Sequence, residues 1–161
     1  MYLKNNQYFT FTVEDQRLAL KVEEVEKVIH AVYVTPIPDS PVEIEGVFEY
    51  HQLLVPVLNL RKRFGATAKP LEVQDVFILV KQRDGTLLAL LADTVEGVLE
   101  KKGLTKADTE ADLAALSEVH LERAKVMRDD SGILLLYRAE QLLTERLQHY
   151  LEGLMEKYSE S

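Results

Sequence analysis

The chain has 161 residues, of which 47% are hydrophobic, enough to bury a sizeable core and to exclude a disordered chain. Its formal charge of −8 argues against a nucleic-acid surface, because phosphate binding needs clustered Lys and Arg. It has no cysteine, which excludes disulfides and thiolate metal sites and makes a cytoplasmic address the default expectation.

The apolar stretches at 53–58 and 87–92 are too short to cross a bilayer. The first residues lack the basic region, apolar core and cleavage site of a signal peptide, so no membrane insertion is expected. Alternation over 8–13 and 17–21, around the polar Glu14-Asp15-Gln16, predicts two strands joined by a turn. Val22, Val25, Val28 and Ile29 recur at helical spacing and predict a short amphipathic helix. Pro36, Pro38 and Pro41 then impose an extended linker. Strands follow near 44–50 and 53–60. Pro56 lacks a ladder donor, which predicts an edge position or a bulge for the second of them. The basic run Arg61-Lys62-Arg63 reads as a solvated helix start.

The second half repeats the plan. Residues 76–80 form an apolar strand, Arg83-Asp84-Gly85 a hairpin turn, and 86–92 the return. Setting Leu18-Ala19-Leu20 over Leu88-Ala89-Leu90 also aligns Val25 with Val95, Glu26 with Glu96, Val28 with Val98 and Ile29 with Leu99. Residues 57–61 find a counterpart at 134–138, each strand running into a helical pattern. This echo predicts two similar β-subdomains, with cores at about 17–70 and 71–138. The acidic, alanine-rich stretch 106–118 reads as a connector. At the C-terminus, Leu143, Leu147, Tyr150 or Leu151, Leu154 and Tyr158 trace one stripe of a helix over 139–158. That stripe either packs on the protein's own strands or serves as a partner-binding or dimerising face.

Catalytic constellations are scarce. His30, His51, His120 and His149 are dispersed, with no pair at metal-ligand spacing, although His30 and His51 could meet in the fold. There is no nucleophile elbow and no phosphate-cradling glycine loop. Gly46, Gly65, Gly85, Gly97, Gly103 and Gly132 are each accounted for by turns. Glu23-Glu24 and Asp129-Asp130 are sequence neighbours that point to different faces. The sequence therefore predicts neither an enzyme nor a cofactor or metal site.

The two-strand opening, the Val-x-x-Val-x-x-Val-Ile pattern of 22–29, the Pro-x-Pro-x-x-Pro linker and the Glu45-Gly46-Val47 turn come in a definite order. Pro56-Val57-Leu58-Asn59-Leu60-Arg61, the hairpin over 76–99 and the closing strand over 133–137 continue it. Over residues 7–143 this ordered set resembles the CheW-like domain family. The resemblance implies a mostly β fold of two intertwined five-stranded SH3-like β-barrels with short helices and a longer C-terminal helix. It implies a non-catalytic adaptor joining a chemoreceptor signalling tip to the regulatory domain of a CheA-type histidine kinase. In its terms Phe9, Val22, Val25 and Val95 form an apolar patch for the kinase, and Lys27, His30, Glu49, His51 and Gln52 line the receptor groove.

The groove departs from the family pattern. Gly46-Val47-Phe48-Glu49-Tyr50-His51-Gln52 stands where the family usually reads Gly-Val-Ile-Asn-Leu-Arg-Gly. Lys27-Val28-Ile29-His30 replaces Glu-Val-Ile-Arg, and Arg123-Ala124 replaces Gly-Val. Histidine lacks the permanent charge and donor fork of arginine, Lys27 inverts a charge, and Gln52 is expected to disfavour a positive φ. These changes predict a retained kinase side and a rewritten receptor groove. An alternative is a CheW-like regulator or decoy of another output pathway, acting on a substitute partner through its C-terminal helix.

Overall fold

A computed structural model describes residues 6–67, 69–106 and 124–159. The predicted connector from 107 onward, His120 and Arg123 lie outside the described residues. β1 (Gln7–Val13) and β2 (Gln16–Lys21) form the opening hairpin, from Tyr8 opposite Lys21 to Val13 opposite Gln16. Phe9, Phe11 and Val13 point to one face and are buried, as the alternation required.

The predicted helix at 22–29 is instead a 3-10 turn, Val22–Glu24, followed by β3 (Val25–His30). β3 pairs with β6 (Val76–Lys81), with Val25 opposite Val80 but Lys27 opposite Leu79, so Glu26 is an extra residue in a bulge. A bulge advances the pleat by one position. Val25 and Val28, three residues apart, therefore face the same core, which is the spacing a helix also produces. The echo position behaves identically. β8 (Thr94–Glu100) sets Val95 opposite Phe11 and Gly97 opposite Thr10, leaving Glu96 as the extra residue.

β4 (Ile44–Tyr50) and β5 (Leu53–Asn59) make the next hairpin. Gly46 is not in a turn but inside β4, at φ +144, and a Cβ there would lie 2.1 Å from the Thr35 carbonyl oxygen. The proline linker docks at this point, with Thr35 and Val47 exchanging backbone hydrogen bonds of 2.8 and 3.0 Å. Because Val47 turns both its backbone groups to Thr35, Pro56 directly opposite has no ladder bond to supply. β5 is thus interior rather than an edge, between β4 and β7 (Leu87–Ala92), and the bulge lies in its partner at Glu45.

The remaining strands are β9 (Thr105–Lys106), β10 (Lys125–Asp129) and β11 (Gly132–Leu136). One sheet has the order β8-β1-β2-β11-β10-β9 and the other β3-β6-β7-β5-β4. The sequence repeats and the sheets are therefore different partitions of the chain. Each hairpin, β1–β2 and β6–β7, is flanked by strands from the other half, and the parallel pairs β5–β7 and β11–β2 join the halves. The division at about residue 70 does not separate the sheets. The first sheet has six strands rather than five, the sixth being the two-residue β9.

A central core takes Phe11, Leu20, Ile78 and Leu90 from both sheets, and each sheet has a smaller core on its other face. The C-terminal helix spans Glu145–Ser159, after a 3-10 turn at Ala139–Leu142. It starts at Glu145 because Thr144 caps it, its Oγ1 accepting from the Leu147 N–H at 3.2 Å. Leu147, Leu151 and Leu154 are buried in the central core, so the stripe packs on the protein's own strands. Among the described residues no helix is long and apolar enough to cross a membrane.

Candidate docking surfaces

β8 is the outer strand of its sheet, and Val95 and Val98 project on the side of Phe11 and Phe9, their register partners. At an edge that face runs past the end of the core. Val95 is 38% and Val98 55% exposed, and their common face on one edge strand makes them a contiguous apolar pair rather than scattered exposed residues. Phe9 is only 9% exposed. Its ring lies 6.1 Å from that of Phe11, so it backs the surface rather than lining it, contrary to the expected role. Val22 and Val25 are half-buried and pack on the same central core as Phe9. Val98, exposed beside Val95, is not among the residues expected from the sequence, although its spacing from Val95, the counterpart of Val25 and Val28, was readable.

Beneath this edge, Glu96 at the bulge accepts from the Arg17 Nε at 3.1 Å, while the Arg17 fork meets both Asp129 oxygens at 2.9 Å. That fork, against the smaller opposing effect of burial, holds the Asp129 carboxyl below the usual carboxylate range. The bulge that exposes Val95 and Val98 is thereby tied across the sheet.

The five groove residues are all exposed, but they do not form one cluster of contacts. Lys27 and His30 lie on β3 and Glu49 on β4, the two outer strands of one sheet, and His51-Gln52 cap the β4–β5 hairpin. No hydrogen bond or ring contact joins His30 to His51 among the described residues. The His51 ring instead meets Tyr50 edge-on at 4.2 Å. His51 and Gln52 have φ of 49° and 67°. Gln52 therefore does adopt the positive φ it was expected to disfavour. A two-residue hairpin of type I′ requires this of both its central positions.

At the other end of β5, Asn59 is 2% exposed, and its side-chain oxygen accepts from the Arg61 and Lys62 N–H groups at 2.9 and 3.3 Å. It caps the short helix Leu60–Arg63. Arg61 then reaches across to Asp93 through bonds of 2.9 and 2.7 Å. Burial pushes the Asp93 carboxyl up, but Arg61 and the Glu14 N–H together outweigh it and hold the group below its ordinary value. Among the described residues no group of three His, Cys, Asp or Glu could hold a metal ion.

Two β-sheets that exchange hairpins around a shared core define a mostly β protein of two SH3-like subdomains. The chain belongs to the CheW-like domain family, whose model matches residues 7–146. The chemotaxis protein CheW of Thermotoga maritima is 28% identical over 135 residues, covering 84% of this chain and 85% of that protein. The chemotaxis protein CheW of Treponema pallidum is 25% identical over 96 residues, covering 58% of this chain and 56% of that one. The crystal structure of the scaffolding protein TtCheW from Thermoanaerobacter tengcongensis shares the fold with a TM-score of 0.67 at 20% identity, covering 82% of this chain and 88% of that one.

Proposed function

We propose that this protein is a non-catalytic cytoplasmic adaptor that couples a chemoreceptor-like sensor to a CheA-type histidine kinase. The observation that carries the reading is the exposed Val95–Val98 pair on a bulged edge strand of a CheW-like domain whose core is otherwise filled. The kinase regulatory domain docks on Val95 and Val98, with Val22 and Val25 at the margin and Phe9 as the support beneath. The receptor signalling tip, or a substitute partner, meets Lys27, His30, Glu49, His51 and Gln52. The alternative of a decoy acting through the C-terminal helix has less support, because the apolar stripe of that helix is already buried.

Val95→Asp with Val98→Asp tests the kinase side. Both side chains are exposed, so the melting temperature should hold while affinity for a CheA regulatory domain falls at least about tenfold, or about 1.4 kcal/mol. Unchanged titration calorimetry would remove this surface from the interface.

A further inference from the structure

On the far side of the six-stranded sheet, β2, β10, β11 and the turns beside them line a cavity of about 620 Å³. Four cations converge on it, Lys21, Lys101, Lys125 and Arg138, and none of its described lining residues is Asp or Glu. That is unexpected in a chain with 27 acidic and 19 basic residues. Elsewhere the surplus of acid is used: Arg17 faces Asp129, Arg61 faces Asp93 and Lys62 faces Glu45. Among the described residues Lys21, Lys101 and Lys125 form no ion pair, although Lys21 acts on Glu24 through space. Arg138 has one, a loose 3.6 Å contact with Glu140. Like charges around a concave, low-dielectric wall focus a positive potential that an anion relieves. The wall also carries apolar surface, notably the half-buried Met127 and Leu136, which pack on the smaller core of this face.

We propose that this cavity binds a small organic anion of charge −2, a phosphate ester or dicarboxylate, with its hydrocarbon body against Met127 and Leu136. Its volume falls in the range of small-molecule sites, about 300–1,000 Å³. The lysines supply point charges and Arg138 a planar fork. None of the cavity's described lining residues is among those assigned to the docking surfaces.

The test is an amide NMR titration of the full chain at constant ionic strength with phenyl phosphate, phthalate and inorganic phosphate. Phenyl phosphate or phthalate should give saturable shifts at Lys101, Lys125 and residues 136–141. Which of the two binds more tightly identifies the anionic group. Inorganic phosphate, lacking the body, should bind several-fold more weakly. Lys101→Ala with Lys125→Ala alters two exposed side chains and should weaken binding at least about tenfold at an unchanged melting temperature. Absence of saturable shifts with both organic dianions would overturn the proposal. So would undiminished affinity in the double variant, or inorganic phosphate binding as tightly as the organic dianions.

Discussion

Gln52 and His51 hold backbone conformations that a side chain makes costly. A left-handed φ on a non-glycine residue costs roughly 1–2 kcal/mol, and here two stand side by side at 67° and 49°. Gln52→Gly relieves one of them, offset in part by the greater freedom glycine has when unfolded. The expected result is a gain of roughly 0.5–1 kcal/mol, read as a raised denaturant midpoint with unchanged slope. A lower midpoint would show that the Gln52 side chain supports the hairpin. Gly46 is the opposite case. Its missing Cβ is the space into which the Thr35 carbonyl fits, at 2.1 Å from where that carbon would be. The obstructing atom is backbone, held by a bond on each side of Thr35. Gly46→Ala should therefore cost roughly 3 kcal/mol or more in urea unfolding. The sequence placed Gly46 in a turn and could not identify the approaching strand, since Thr35 arrives by way of the proline linker.

At the scale of elements, the apolar spacing of 22–29 has two geometric solutions. Residues three apart share a face on a helix, and they also share a face across a one-residue bulge. The β-branched Val25, Val28 and Ile29 favour the strand, and pairing with β6 decides it. The register of that pairing was not readable from local pattern. The internal echo was, and its strongest support is that Glu26 and Glu96, aligned by it, are both the extra residue of a bulge. Pro56 carried a correct constraint with an incomplete answer: no ladder bond is asked of it, yet its strand is interior because Val47 bonds to Thr35 instead. The C-terminal stripe was legible as a helix, while its partner depended on the cavity the two sheets leave. Leu151 is 3% exposed there, so Leu151→Ala should cost about 2–4 kcal/mol in chemical unfolding. A cost below about 0.5 kcal/mol, typical of a surface change, would return the helix to the role of a free docking element.

The whole molecule is held as one unit because its halves cannot part without breaking sheets. Hairpin exchange puts β3 on β6 and β1 on β8, and two nearly buried ion pairs tie distant segments: Arg61 to Asp93, and Arg17 to Asp129. Unfolding should therefore be a single cooperative transition, and its pH dependence follows from the carboxylates. Asp93 and Asp129 have folded pKa values below their unfolded ones. Their contribution is present above the ordinary carboxylate pKa, about 4, and is lost as pH falls through the folded value. Glu24 has the opposite sign. Burial is the leading cause and raises its pKa, while the Ala139 N–H at 2.8 Å lowers it in part. Its contribution is fullest below the unfolded pKa and is lost as pH rises through the raised folded value. With two clamps against one half-buried acid, the melting temperature should fall between pH 6 and pH 3. Asp93→Asn should cost about 2–3 kcal/mol at neutral pH, since Arg61 loses its charged acceptor, and should flatten the acid limb. Glu24→Gln retains an acceptor for Ala139 and removes the buried charge, so it should raise stability at pH 7 and leave that limb intact. Scanning calorimetry of the three proteins from pH 3 to 8 decides the matter. An acid limb unchanged in Asp93→Asn would mean that the clamp between the halves contributes nothing to acid sensitivity. Two resolved transitions in the parent would mean that the exchanged hairpins do not couple the sheets.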